Sequence, residues 1–381
     1  MYGLNASSIP YDGVNKYLRI TDIDDKNHKL IMNNLTSPNV KLEDSQDYLL
    51  HPGDILFART GASVGKTYLY NNSDGIVFFA GFLIRMKTKD IYDERFIFQN
   101  TLTEKYNNFV QITSQRSGQP GINAKEYSQF HLYVPTEINE QNKVGSITEK
   151  LDLLIELHQE KLTLYESLKK KILRNIFLSS NNASTNLRFN KFDEYWKQYN
   201  LGDLANIVRG ASPRPIKDKK WFDKDSDVGW LRISDVTQQK GRIRHLEQHI
   251  SKVGQKKTRV LTEPHILLSI AASVGKPVIN YVKTGVHDGF LIFLNPKFKI
   301  EFMFQWLEMF QSSWRHYSQP GSQVNLNSDL VKNQKLNLPN IEEQKEIGDF
   351  LLKIDNLMNI QQKRIKNLQS IKKYFLQKLF I

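Results

Sequence analysis

Tyr17-Leu-Arg-Ile-Thr-Asp22-Ile23 returns 213 residues later as Trp230-Leu-Arg-Ile-Ser-Asp235-Val236, and Ala62-Ser-Val-Gly-Lys66 returns 210 residues later as Ala272-Ser-Val-Gly-Lys276. An internal repeat of this kind decides the architecture before any single motif does. Further along the chain Ala80-Gly-Phe-Leu-Ile84 matches Asp288-Gly-Phe-Leu-Ile292, and Gly118-Gln-Pro-Gly-Ile-Asn123 matches Ser322-Gln-Val-Asn-Leu-Asn327. Pro135 with Glu140-Gln141 then matches Pro339 with Glu343-Gln344. The offset drifts only from 213 to 203, so the chain holds two collinear copies of one unit that differ by small insertions and deletions.

The first part of each copy reads as strands and turns. Asp54-Ile-Leu-Phe-Ala58, Gly75-Ile-Val-Phe-Phe79 and His265-Ile-Leu-Leu-Ser-Ile270 are short apolar runs bounded by Gly, Pro, Asn or Asp. Each copy then changes period. From about Ile138 to Phe177 and from about Ile341 to Phe380 the only helix-weakening residues are Gly145 and Gly348, and apolar side chains recur at three and four. Ile147, Leu151, Leu154, Leu162, Tyr165 and Leu168 begin one stripe, and Ile347, Leu351, Ile354, Met358, Ile365 and Leu368 the other. Helices of about 40 residues are roughly 60 Å long, and such a stripe needs a partner. The expected fold is therefore α+β, with two pseudo-symmetric mixed α/β domains separated by two long antiparallel helices that form a coiled coil. The expected boundaries are 1–136 for the first domain, 137–178 for the first helix, 179–196 for a linker, 197–340 for the second domain and 341–381 for the second helix. Ser179-Ser-Asn-Asn-Ala-Ser-Thr-Asn186 has the small polar composition of a flexible connection. Tyr199 to Gly210 predicts an opening strand in the second copy. The first copy begins near the equivalent of Gly210, at Gly3, so its domain is expected to lack a first strand or to have that edge filled by another segment.

The length of 381 residues suits two or three domains, and 53 Lys+Arg against 40 Asp+Glu give a net charge of +13. With 40% hydrophobic residues the chain has enough apolar surface to fold, so the positive excess points to a polyanionic partner. Cysteine is absent, which excludes disulfides, thiolate nucleophiles and sulfur-ligated zinc, and fits a reducing, cytoplasmic home. No stretch approaches the roughly 18 apolar residues of a membrane span, and no secretory leader is recognisable.

Two variable globular repeats, each with a Leu-Arg-Ile-x-Asp segment, an Ala-Ser-Val-Gly-Lys turn and a Pro-x(n)-Glu-Gln helix opener, resemble the specificity subunit of type I restriction-modification systems. The resemblance covers nearly the whole chain. It implies that each globular repeat is a target recognition domain reading one half of a bipartite, asymmetric site in double-stranded DNA. It further implies that the long helices act as a spacer and dock two methyltransferase subunits, through which the restriction and translocase subunits join. Catalysis would then lie in those partners. No cofactor is expected in this chain, and S-adenosylmethionine, ATP and Mg are expected on the partner subunits.

The motifs are compatible with that division of labour. Gly61-Ala-Ser-Val-Gly65-Lys66-Thr67 mimics a phosphate-binding loop, but three residues rather than four separate its glycines, Thr60 stands where the first glycine belongs, and the second copy ends in Pro277. The alternatives are a basic turn approaching a DNA phosphate, with Gly65 and Gly275 allowing close approach, and a plain structural turn. His245-Leu-Glu-Gln-His249 has neither order of a metal-binding helix and reads as surface histidines. Neither a metal site nor a catalytic constellation is expected. Candidate DNA contacts are polar and basic residues beside the recurring turns. In the first copy they are Arg59, Thr60, Ser63 and Lys66 with Arg116, Ser117 and Gln119. In the second they are Ser269, Ser273 and Lys276 with Ser318, Gln319, Ser322 and Gln323, together with a basic loop of Arg209, Ser212, Arg214 and Lys217. Arg and Gln suit guanine and adenine edges, and Lys suits phosphate, although for each residue a solvated surface role is the competing reading. Arg19 and Arg232 lie inside strand-like segments, where a buried pair with a nearby Asp competes evenly with a DNA contact. On the helices the apolar stripes break at His158 and Gln361. An antiparallel pair whose facing numbers sum to about 519 brings these two together, a polar layer that would fix register and therefore the spacer. The competing functions are an NTPase or nuclease with an unrecognised site and a coiled-coil scaffold without DNA specificity.

Overall fold

The computed structural model describes residues 1–177, 187–270, 274–317 and 326–380. The chain forms two compact units, Met1–Lys161 with Gln361–Ile381 (unit 1) and Leu162–Ile360 (unit 2). The long helices run Ile138–Phe177 and Ile341–Lys378. Each helix is divided between the units.

In unit 1 the strand Asp54–Ala58, buried along its whole length, lies between Thr67–Leu69 and Leu83–Lys87, antiparallel to both. In unit 2 the corresponding sheet runs in the order Arg242–Ile243, Pro277–Asn280, Ile266–Ser269, Phe290–Leu294, Asn206–Arg209. The short apolar runs become central strands because both of their faces are covered. Leu267 and Ile292 face one hydrophobic cluster and Leu268 and Leu291 another.

The repeated Leu-Arg-Ile-x-Asp segment is a local clamp rather than a strand interior. Arg19 and Arg232 each cap a short helical turn, and the aspartate three residues on accepts from both the arginine backbone N–H and the guanidinium, at 2.8–3.0 Å in unit 1 and 2.9–3.1 Å in unit 2. That bidentate bond raises the pKa of both arginines.

The repeated Glu-Gln opener joins each long helix to its domain. The Gln141 side-chain oxygen accepts from Asp93 N–H at 3.0 Å and its amide donates to the Pro135 carbonyl at 2.8 Å. Gln344 does the same with Lys299 N–H at 3.0 Å and Pro339 at 2.9 Å. One turn later come the two helix glycines. A Cβ on Gly145 would lie 2.4 Å from Asp93 Oδ1, and one on Gly348 would lie 2.8 Å from the Phe302 backbone nitrogen. Two turns further, Asp152 accepts from Gln99 at 3.0 Å and from Lys372 at 2.6 Å, while Asp355 accepts from Gln305 at 2.7 Å and from Lys169 at 2.6 Å. Residues 141, 145 and 152, and 344, 348 and 355, thus form one face of each helix, at the three-and-four spacing that keeps side chains in line.

The helix segments run antiparallel within unit 1. His158 Nδ1 meets Gln361 Oε1 at 2.7 Å, and Asp152 meets Lys372 further along. The expected polar pair therefore exists, with Gln361 only 3% exposed and His158 half-buried.

Two expectations are corrected. Residues 187–196 are part of unit 2 rather than linker, since Trp196 is buried and Arg188 pairs with the buried Glu343 at 2.7 Å; residues 178–186 lie outside the described residues. The first-strand edge of unit 1 is filled by the chain's own first residues. Tyr2 bridges Ile84 antiparallel and Gly3 N–H donates to Leu83 O at 3.0 Å, as Asn206–Arg209 pairs with Phe290–Leu294 in unit 2. Gly3 and Gly210 both lie close against backbone, since a Cβ on either would be 2.1–2.2 Å from a carbonyl oxygen.

Two predictions follow from the helix faces. Gly348→Ala raises intrinsic helix propensity, yet it is expected to destabilise by about 1–3 kcal/mol in urea unfolding, because the added methyl meets backbone that cannot give way. His158→Leu leaves the Gln361 amide buried and unpaired and is expected to cost about 1–3 kcal/mol, most of which His158→Leu with Gln361→Leu recovers. Equal losses in the single and double variants would show the pair to be uncoupled.

Candidate nucleic-acid interface

In unit 1 the strand Asp54–Ala58 delivers Arg59 to a surface loop whose backbone is tied to two other segments. Arg59 N–H donates to Phe82 O at 3.0 Å, its carbonyl accepts from Ile122 at 2.9 Å, and Gly61 N–H donates to Pro120 at 2.9 Å. These bonds join the loop of Arg59, Thr60 and Ser63 to the segment 120–122, which directly follows Arg116, Ser117 and Gln119 in the chain. Gln119 lies against Gly61, where a Cβ would come within 2.8 Å of its amide nitrogen.

The basic residues of this face are not equivalent. Lys66 pairs with Asp25 at 2.5 Å with only 18% of its side chain exposed, and Arg116 pairs with Glu126 at 2.6 Å. Arg59 makes no ion pair among the described residues. Its guanidinium lies over the Tyr2 ring at 5.0 Å and the Phe82 ring at 6.0 Å. Phe82 is 57% exposed and Tyr2 42%. Aromatic faces hold a cation in place without neutralising it, so Arg59 keeps its charge and its donors for an external acceptor. Tyr2 and Phe82 were not found from the sequence. The repeat that contains Phe82 gives no sign of its exposure, since its counterpart Phe290 is fully buried.

The turn that mimics a phosphate loop has no N–H groups to spare at its key positions. Val64 N–H donates to Gly61, Lys66 N–H to Ser63, and Gly65 N–H to Ala58 and the Tyr127 hydroxyl. The Tyr106 hydroxyl donates to Gly65 O at 3.0 Å, and burial pushes the Tyr127 pKa up to about 12. Gly65 and Gly275 have φ of +86° and +75°, and a Cβ there would meet Val110 at 2.5 Å and Trp314 at 2.3 Å. The close approach expected of these glycines is thus made to the domain's own interior, a correction to the reading that reserves it for DNA.

In unit 2 the basic loop converges on a residue the sequence reading passed over. Asp288 accepts from Ser212 Oγ at 2.6 Å and Arg214 Nη2 at 2.7 Å, and its carbonyl accepts from Arg209 Nε at 2.6 Å. The Ser212 hydroxyl, with Arg214 beside it, holds the Asp288 carboxyl below its ordinary pKa. Ser212, Arg214, Trp230, Arg232, His287 and Asp288 line a cavity of about 350 Å³. His287 sits between Trp230 and Phe290 at 5.9 and 4.9 Å, and burial lowers its pKa, favouring the neutral ring. Lys217 is exposed on the same loop.

Ser269 is corrected. It is fully buried and its Oγ accepts from Lys276 N–H at 3.1 Å, closing the turn from within. Lys276 is half-buried beside it. Ser273, Ser318, Gln319, Ser322 and Gln323 lie outside the described residues. His249 uses both ring nitrogens on the carbonyls of Ser226 and Leu246, His245 is exposed, and no metal-binding cluster occurs among the described residues.

Residues 12–167 and 193–370 both match the type I restriction modification DNA specificity domain, and the chain belongs to that family. It is a non-catalytic DNA-recognition subunit of a type I restriction-modification system, and the enzymatic activities lie on partner subunits. It is 21% identical over 356 residues to the type I restriction enzyme MjaVIII specificity subunit of Methanocaldococcus jannaschii, covering 89% of this chain and 80% of that one. The putative MjaX specificity subunit of the same organism is 22% identical over 347 residues, covering 88% and 79%. Among solved structures, the S subunit from M. genitalium superposes with a TM-score of 0.66 at 13% identity, over 100% of this chain and 93% of that one. A chain from a type I R-M system studied for complex assembly and conformational transition gives 0.55 at 16% identity, over 99% and 95%. No helix among the described residues is long and apolar enough to cross a membrane.

Because Arg59 is unpaired and Lys66 is already neutralised, Arg59→Ala is expected to weaken binding to the cognate duplex by about 1–3 kcal/mol and to relax preference at one base pair. Lys66→Ala is expected to cost less and to change the log–log salt slope by under about 0.9, the value for one released phosphate contact. Competition binding at several salt concentrations measures both.

Proposed function

We propose that the chain reads a bipartite, asymmetric DNA site, with the Arg59 face of unit 1 reading one half and the Asp288 loop of unit 2 reading the other. The observation that carries this is the contrast between the faces. One framework, with the same Arg-Asp clamp and the same buried strands, presents a cation between exposed aromatics in unit 1 and a carboxylate gathering Arg209, Ser212 and Arg214 in unit 2. A conserved scaffold with divergent surface chemistry is what two independent readers require, since phosphate contacts position the protein and base contacts specify the sequence.

Two methyltransferase subunits dock on this chain, and restriction and translocase subunits join through them, in the cytoplasm. The apolar side chains left exposed on the long helices, Leu153, Leu157, Leu164 and Leu168 among them, suit such docking. S-adenosylmethionine, ATP and Mg belong to those partners. The His158–Gln361 pair supports the helices' part as the spacer, since slippage would bury an unpaired amide.

Exchanging residues 187–340 for those of another family member, and sequencing the methylome of a host that expresses the hybrid with its methyltransferase, is expected to change one half-site alone. A simultaneous change in both halves would refute separate reading.

A further inference from the structure

The connection between the strands Thr284–Val286 and Phe290–Leu294 of unit 2 is a place where the two copies exchange apolar for polar chemistry. By the match of Ala80-Gly-Phe-Leu-Ile84 with Asp288-Gly-Phe-Leu-Ile292, Phe79 and Ala80 correspond to His287 and Asp288. Phe79 is fully buried and Ala80 is 6% exposed, so in unit 1 the shared framework closes this corner with an apolar ring and a methyl group. In unit 2 the same two positions are half-buried and line the cavity of about 350 Å³. The framework itself therefore does not require an imidazole and a carboxylate there.

The imidazole is held in one tautomer. Its Nδ1 accepts from Gly289 N–H at 2.9 Å, so the proton of the neutral ring sits on Nε2, and burial favours that neutral form. The ring folds back so closely that a Cβ on Gly289 would lie 2.5 Å from His287 Cε1, and it packs on the Trp230 and Phe290 rings. Nε2–H meets no acceptor among the described residues and is not sealed from solvent, so it is a donor available to a ligand. Asp288, the next residue, is an acceptor. Each of its carboxylate oxygens takes one hydrogen bond, from Ser212 and from Arg214, and such an oxygen has room for a second.

We propose that His287 is a specificity-determining residue of unit 2: its Nε2–H binds N7 of an adenine in the major groove, while the Asp288 carboxylate accepts from the N6 amino group of the same base. The assignment rests on the reading of the Asp288 loop as the recognition face of unit 2 and goes beyond it in naming the donor and the base. In the major groove only adenine presents an acceptor and a donor on one base. Guanine presents two acceptors, and its O6 would meet the carboxylate. A neutral donor discriminates between bases without adding to the attraction for phosphate, which is common to every sequence.

The test uses the full chain with its methyltransferase and the duplex that the methylome identifies. Each adenine of the half-site read by unit 2 is replaced in turn by 7-deazaadenine, which lacks the N7 acceptor and keeps the N6 amino group. At one position this is expected to weaken binding about tenfold, the scale of one base contact. His287→Phe installs the ring that unit 1 carries at the equivalent position. It is expected to weaken binding to the unmodified duplex by a similar factor and to abolish the 7-deaza penalty, the non-additivity that marks a direct contact. Asp288→Asn is expected to admit guanine at the same position, because an amide can donate to O6. Wild-type affinity in His287→Phe, a 7-deaza penalty that persists in that variant, or indifference of every adenine to the replacement would each overturn the assignment. Unchanged discrimination at the other half-site reports that the variants are folded. A failure of separate reading would show differently, as a change in both half-sites when residues 187–340 are exchanged.

Discussion

A buried glutamine amide holds each recognition domain to its long helix. Gln141 and Gln344 each satisfy a proline carbonyl at the end of the domain and the N–H of the residue that caps the domain helix packed on the long helix, Glu94–Asn100 in unit 1 and Ile300–Phe310 in unit 2. The donor in unit 1 and the acceptor in unit 2 would otherwise be buried and unpaired, at roughly 1–3 kcal/mol each. No apolar residue could replace the amide, because only a group with a donor and an acceptor on one planar end closes both bonds. The glycine one turn later lets the two helices approach until backbone meets backbone. The aspartate two turns beyond that then takes a glutamine from the domain and a lysine from the opposing helix.

This arrangement concentrates polar groups where a simple coiled coil would place leucine. Lys169, Arg242 and Asp355 meet in unit 2 with little exposure, and Asp152 with Lys372 repeats the theme in unit 1. Buried pairs are weak sources of stability, since desolvation offsets much of the attraction. Their effect is on alternatives: a helix slipped by one turn would strand these charges and the His158–Gln361 amide against leucine. The Gln99 and Gln305 side-chain oxygens are both buried without a partner among the described residues, so the duplicated design carries the same small cost twice.

With the framework fixed in this way, the loops are free to diverge. Tyr106 and Tyr127 lock the turn in unit 1 from behind, and Ser269 with Trp314 does so in unit 2. Phe82 can then stand in solvent beside Arg59, whereas Phe290 is covered by His287. The same separation explains why lysines that look like phosphate contacts in the sequence differ so much in fact. Lys66 is spent on Asp25, a residue that the motif does not contain.

The duplication, the change from strand to helix period, the helix limits within about three residues and the facing of His158 by Gln361 were all determined by the sequence alone. Each rests on spacing, and spacing survives into the fold because helices and strands have fixed periods. The tertiary structure decided what spacing does not encode. It turned Arg19 and Arg232 from strand residues into caps, drew residues 187–196 out of the linker and onto unit 2, and placed Met1–Leu4 on the sheet edge. It also sent Ser269 inward, neutralised Lys66 and Arg116, and left Arg59 charged between two rings. In each case the outcome depends on a partner far away in the chain, and a charge or a hydroxyl carries no mark in sequence of whether such a partner will arrive.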